Sequence, residues 1–206
     1  MKTQTDSPEN LIVELRSILE PLSLPELFPK LQPLEVEPGC GDASFLVELA
    51  RRHPEKNFIG IERLLGRLHK LDRKGHRAGL VNLRGVRIES AYFLEYLLPP
   101  HSVSVLHIYF PDPWPKKKHR KHRLINECFP ELARAALAPG GAVFLRTDDR
   151  GYFRQMTEVF GANREFEPIE TPSELANRLT DFEQKFRERG IHTLRAAYQL
   201  KLPPPV

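Results

Sequence analysis

Two cysteines are too few to hold a chain of 206 residues together with disulfides, and neither Cys40 nor Cys128 has a neighbour at the spacing a zinc site needs. The expected setting is a reducing cytoplasm. Long apolar runs are also missing. No stretch approaches the roughly 20 apolar residues of a membrane span, and the opening MKTQTDSPEN has no apolar signal core. A soluble, unexported protein is expected. Acids are scarce in two places: segments 63–87 and 116–123 hold fourteen of the 31 Lys and Arg, and the only acid in them is Asp72. Such clustering is the footprint of a nucleic-acid face, whereas the net charge of +4 by itself identifies no partner. At 40% hydrophobic and 28% charged residues, the composition excludes wholesale disorder.

What is present reads as one domain with a small appendage. Residues 1–33 are expected to form an N-terminal helix and a connector. Ser7-Pro8-Glu9 resembles an N-cap with proline at the first helical position, Leu11, Ile12, Leu15, Ile18 and Leu19 follow at helical spacing, and Pro21, Pro25, Pro29 and Pro33 punctuate what comes next. Residues 34–206 form the main domain. Strands are predicted at Leu34–Glu37, Phe58–Ile61, Leu83–Ile88, Val103–Phe110 and Ala142–Arg146. They alternate with helices at Ala43–Arg52, Arg63–Arg77, Ala91–Leu98, about Leu124–Leu137 and Tyr152–Phe160. This alternation predicts an α/β fold with a mainly parallel sheet covered on both faces. Thr193 to Leu202 has the pattern of a further strand.

Ligands of such sheets sit beyond the carboxyl ends of the strands. Glu37, Glu62, Glu89, Asp112 and Asp148 fall at or just after those ends, so one edge collects five carboxylates. Gly39-Cys40-Gly41 after the first of these strands makes a turn tight enough for backbone to approach a ligand. Ser44 replaces the third glycine of a dinucleotide fingerprint, which weakens a nicotinamide reading and leaves a plain tight turn as the alternative. Glu62, ending the next strand, is placed to accept the two hydroxyls of a ribose.

The stretch His107 to Arg123 reads HIYFPDPWPKKKHRKHR. Three prolines around Asp112 fix three φ angles and hold the carboxylate on a stiff corner. Lys116 to Arg123 then offers six Lys or Arg and two His, dense enough to attract a polyanion. Trp114 is either a base-stacking platform or a brace for this loop. His107, His119 and His122 are structural or phosphate-facing. Arg63, Arg67, Lys70, Lys74 and Arg77 share one helix face opposite Leu64, Leu65, Leu68 and Leu71, and the plainer reading of that face is a solvated one. Thr147-Asp148-Asp149 would serve equally as a helix cap.

Phe110 to Lys118 closely resembles the signature of the bacterial tRNA (guanine-N7)-methyltransferase family. Glu37-Pro38-Gly39-Cys40-Gly41, Asn57 to Glu62, Thr147-Asp148 and Thr180-Asp181-Phe182-Glu183 match further motifs in family order. The resemblance implies a Rossmann-like class I methyltransferase with a mostly parallel seven-stranded sheet, closed by an antiparallel hairpin from about Glu165 and His192 onward. It implies S-adenosylmethionine as cofactor and tRNA as partner; no residue pair has metal-ligand support, so no metal is expected, and the sequence leaves monomer and homodimer both open. Glu37, Gly39, Gly41, Glu62, Glu89 and Asp112 would hold the cofactor, with Asp112 also catalytic. Lys116, Asp148, Thr180 and Glu183 would meet the substrate, and Lys117, Lys118, Arg120, Lys121 and Arg123 the RNA. Pro38, Glu89-Ser90 and Asp181 depart from the family pattern, the last by reversing a charge. A methyltransferase for an exocyclic amine and a non-catalytic RNA-binding module are the rival readings. The second leaves the five carboxylates without a purpose.

Overall fold

The computed structural model describes residues 10–114 and 116–202, without the side chains of Lys117, Asp181 and Phe182. The expected cap Ser7-Pro8-Glu9, Pro115 of the proline corner, and the expected roles of the Lys117 and Asp181 side chains lie outside the described residues.

In chain order the elements are β1 (Ile12–Val13), α1 (Leu24–Leu27), β2 (Leu34–Pro38), α2 (Ser44–Arg52), β3 (Asn57–Ile61), α3 (Leu65–Arg77) and β4 (Leu83–Val86). Next come α4, a turn of α-helix (Ser90–Tyr92) widening into a π-turn (Phe93–Leu97), then β5 (Val103–Tyr109) and a 3-10 helix (Lys117–His122). The chain closes with α5 (Phe129–Ala136), β6 (Leu137–Thr147), α6 (Arg150–Ala162), β7 (Phe166–Pro168), α7 (Ser173–Asn177), α8 (Asp181–Glu188) and β8 (Leu194–Leu200). One eight-stranded sheet runs β1-β4-β3-β2-β5-β6-β8-β7. Its strands are parallel except β8, which is antiparallel to both β6 and β7.

The central strands are parallel because each is covered on both faces and each long crossover is a helix with one apolar stripe. β2 and β3 are buried at every residue. On α2 the buried positions are Phe45, Leu46, Leu49 and Ala50, and the helix stops at His53, ahead of Pro54. On α3 they are Leu68, Leu71 and Gly75, whereas Leu64 and Leu65 at its start are exposed. The two faces of the sheet are covered by two apolar clusters, one around Val36, Ile59, Phe93, Ile108, Phe129 and Phe160, the other around Phe45, Leu46, Leu49, Phe58, Leu68 and Phe144. Each of these side chains contributes about 1.5–3 kcal/mol when fully buried.

Three expectations need correction. Residues 11–19 form no helix: Ile12 and Val13 pair in parallel with Gly85 and Val86, so the sheet has eight strands where seven were expected. Tertiary pairing overrides the helical spacing here because Leu11 is fully buried and its N–H is taken by Asp72, 2.9 Å away. The helix expected from Leu124 starts only at Phe129, with Pro130 in its first turn and the preceding Ile125 N–H donated to the Tyr152 hydroxyl. β6 is also longer than expected, running through Pro139-Gly140-Gly141, with a register shift where it meets β5 between Val103 and Val105. The closing antiparallel hairpin is present as β7–β8.

Candidate active site

The strand order places the five carboxylates in a spatial row. They lie at or just after the ends of β4, β3, β2, β5 and β6, which are neighbours in that order, so Glu89, Glu62, Glu37, Asp112 and Asp148 line one edge of the sheet in sequence. A cavity of about 210 Å³ opens at the middle of this row, lined among others by Glu37, Gly39, Gly41, Phe45, Tyr109 and Thr180.

Its floor is the turn after β2. The Gly39 and Cys40 N–H groups both donate to the Ile61 carbonyl, at 2.8 and 2.9 Å, tying the turn to β3. Gly39 and Gly41 have φ of +77° and +57°, a region that side chains resist. Gly60 on β3 leaves the room that the Cys40 sulfur fills. Beside this turn, Glu37 is 4% exposed and its Oε2 has no hydrogen-bond partner. Burial pushes its pKa up to about 8, with Arg146 acting against the rise and Asp42 adding to it. A buried carboxyl oxygen without a partner calls for an explanation, and this one lies at the lining of an open cavity. Glu62 is also buried and accepts from the Leu64 N–H and the Arg67 guanidinium.

The other half of the row is built differently. Phe110 (φ +51°) and Trp114 (φ +39°) flank the proline corner in left-handed backbone, conformations that hold only where surrounding structure enforces them. Asp112 is exposed and accepts from the Trp114 N–H at 3.1 Å. Trp114 stacks on His119 and tilts against His122, which supports its reading as a brace. Asp148, on the neighbouring strand, is likewise exposed, and the helix-cap role falls to Asp149, which accepts the Tyr152 N–H. Lys116, Lys118, Arg120 and Lys121 are exposed and make no ion pair among the described residues.

Arg123 corrects an expectation. It is 2% exposed, bonded to the Pro113 carbonyl and to Gln155 at 2.7 Å each, and lies over the Tyr152 ring. Its guanidinium therefore turns inward and pins the proline corner to α6, out of reach of RNA. Glu89 is exposed and caps α4 through the Tyr92 N–H, outside the cavity lining. Thr180 and Glu183 form a capping box at the start of α8. Thr180 lines the cavity, whereas both Glu183 oxygens are engaged, one by Arg195 and one by Arg146 and the Thr180 N–H. Burial works to raise the Glu183 pKa, but the Thr180 N–H and the two guanidiniums bring it below the ordinary carboxylate value.

Two buried networks were missed in the sequence. Arg146, 1% exposed, holds Glu183 and the carbonyls of Leu175 and Arg178, and lies over the Tyr109 ring at 4.2 Å. It fastens the α7–α8 segment over the cavity. Glu35 accepts from Lys56 and pairs with buried His107; burial alone would raise its pKa, but these partners lower it to about 2. A lone charged residue within an apolar strand, as in AVFLR, was the available signal for Arg146.

A parallel sheet with a glycine turn and an acidic row at its carboxyl edge defines a class I methyltransferase fold. In the solved structures, 16S rRNA methyltransferase KamB superposes with a TM-score of 0.62 at 15% identity, covering 86% of this chain and 92% of that one. A geranyl diphosphate methyltransferase in complex with GPP and sinefungin gives 0.55 at 15% identity, covering 85% and 75%. Residues 31–196 match a family described as putative methyltransferase. The tRNA (guanine-N(7)-)-methyltransferase of Rubrobacter xylanophilus is 35% identical over 184 residues, which are 89% of this chain and 82% of the relative. The enzyme of that name from Chromohalobacter salexigens is 43% identical over 137 residues, 66% of this chain and 56% of the relative. The chain belongs to the tRNA (guanine-N7)-methyltransferase family.

Proposed function

We propose that this chain methylates N7 of a guanosine in the variable loop of tRNA, with S-adenosylmethionine as methyl donor. The observation that carries the reading is the divided acidic row: a buried Glu37 at the glycine turn whose Oε2 has no partner, and exposed Asp112 and Asp148 just after the adjacent strands β5 and β6, beside the exposed Lys116, Lys118, Arg120 and Lys121.

The residues at the cavity fit the donor. Glu37 meets its cationic end, the backbone of Gly39 to Gly41 admits it closely, and Glu62, outside the cavity lining at the end of β3, accepts from ribose hydroxyls. When bound, S-adenosylmethionine supplies an electrophilic methyl group on a sulfonium. Guanine N7 carries a free lone pair, so no proton must be removed first and no general base is required. The protein's task is alignment, for which effective molarities correspond to roughly 7–11 kcal/mol. Asp112 and Asp148 hold the guanine edge and counter the positive charge arriving on the purine ring. Lys116 anchors a nearby phosphate. Extruding the base costs a few kcal/mol, offset by backbone contacts from Lys118, Arg120 and Lys121.

The test is a tRNA carrying 7-deazaguanine at the target position. Its missing lone pair should abolish methylation there while binding persists. Methyl incorporation at that nucleotide equal to natural tRNA would overturn the N7 assignment.

A further inference from the structure

We infer that α3 carries a second phosphate-binding track for the RNA, on the opposite flank of the cavity from the strip that follows the proline corner. This rests on the proposed action on tRNA. Lys70 and Arg77 are seven residues apart on α3 and so share one stripe, with Arg73 beside it and Arg63 just ahead of the helix, and all four are exposed. Lys70 to Arg77 spans about 10 Å at 1.5 Å per residue.

The pattern of pairing separates this face from an ordinary solvated one. On α2, Arg51 and Arg52 both bond Glu48; on α5, Arg134 bonds Glu131; on α6, Arg154 faces Glu158. Among the described residues none of Arg63, Lys70, Arg73 and Arg77 has an ion pair, and the one acid of α3, Asp72, is occupied by the Leu11 N–H and His76. The helix also carries like charges four residues apart, Lys70 with Lys74 and Arg73 with Arg77, which repel. A cation in its first turn, Arg67, opposes the helix dipole. A helix that only needed to be soluble has no reason to keep this arrangement.

Placement supplies the second argument. α3 leaves β3 and the basic strip leaves β5, and β2, which carries Glu37, lies between those two strands. Arg67 and Lys70 line the cavity itself, and Lys74 reaches the Asp42 carboxylate beside the glycine turn at 2.8 Å. RNA presented to this edge of the sheet therefore meets exposed cations on both flanks of the cavity, and a folded RNA gripped from two sides keeps its extruded base in register.

The test compares R63Q/R73Q/R77Q with wild type and with K30Q/R164Q/K201Q, which removes three exposed cations outside both tracks. Binding to unmodified tRNA is measured across a salt series. Each lost phosphate contact changes the log–log slope by about 0.7–0.9, so the α3 variant should lose roughly two to three units of slope and the control little. Cofactor affinity by calorimetry and turnover at saturating tRNA should be unchanged, because the three replaced side chains are exposed and unpaired. A slope equal to wild type, or an equal fall in both variants, overturns the track. Failure of the wild-type protein to bind or methylate tRNA would instead remove the activity reading, and is seen before any variant is made.

Discussion

The two halves of the acidic row are chemically alike and physically opposite. Glu37 and Glu62 are buried at strand ends that nothing can move, while Asp112 and Asp148 are exposed on loops. A small ligand that is always the same can be met by a carboxylate whose desolvation is already complete, at the expense of a raised pKa. A folded RNA brings its own bulk, so the residues that meet it can remain hydrated until its arrival excludes the water and strengthens their fields. Rigidity on the exposed side comes from prolines, positive-φ backbone and the inward-turned Arg123 instead of from burial.

Breaking this contrast gives an ordered set of outcomes. The largest is Arg146→Met, which removes the buried one of the two guanidiniums on Glu183 together with the hydrogen bonds to the Leu175 and Arg178 carbonyls, and frees the α7–α8 segment. A loss of about 3–5 kcal/mol in urea unfolding is expected, as for other broken buried pairs, and a change below about 1 kcal/mol would show that the network is dispensable. Next is Asp112→Asn, isosteric and on an exposed corner. It should leave the thermal midpoint in place and lower turnover by about 10²–10³-fold, the range for losing one electrostatic contact to a developing charge. Near-normal methylation would remove Asp112 from the chemistry.

Glu37→Gln sharpens the other half. The Glu37 pKa is raised from 4.5 to about 8 in the fold. Below pH 4.5 the acid is protonated folded or unfolded and has no effect. Between 4.5 and 8 only the unfolded chain ionises it, so stability of the ligand-free protein falls with rising pH across that window and levels off above 8. The amide should flatten this fall, making the variant more stable than the parent at its alkaline end, while weakening cofactor binding. Parallel pH–stability curves for the two proteins would contradict the raised pKa. A smaller effect separates the residues of the strip. Replacing Lys118, Arg120 and Lys121 by Ala should flatten the salt dependence of tRNA binding by about 0.7–0.9 per contact. Arg123→Ala should leave that slope alone and lower turnover through a loosened corner, and a changed slope would put Arg123 back on the RNA.

The legibility of the chain in sequence follows the same division. Strands β2 to β6 and the carboxylates after them were readable because a parallel sheet buried on both faces writes apolar runs with polar ends. The proline corner was readable because proline acts locally. Arg123 was misread as part of a charge run, since nothing in KKKHRKHR marks which cation turns inward toward Pro113 and Gln155. Arg146 and the Glu35–His107 pair were missed because their partners are distant in the chain. The β1 pairing was masked by a helical spacing of leucines and isoleucines that tertiary contacts overrode.

That two-residue strand has a consequence of its own. β4 would otherwise be the outer strand of the sheet, presenting a row of open amides and carbonyls to any strand of another molecule. Instead the Gly85 N–H is taken by the Leu11 carbonyl, and Leu11 is wedged where α3 leaves space only because residue 75 is glycine. The segment works as a selvedge, covering the middle of β4 and leaving a two-residue strand as the outer edge. Clipping the chain ahead of Leu24 should leave the catalytic edge intact and make the protein self-associate through β4, so an early sign of damage at this end would be a larger particle before any loss of activity.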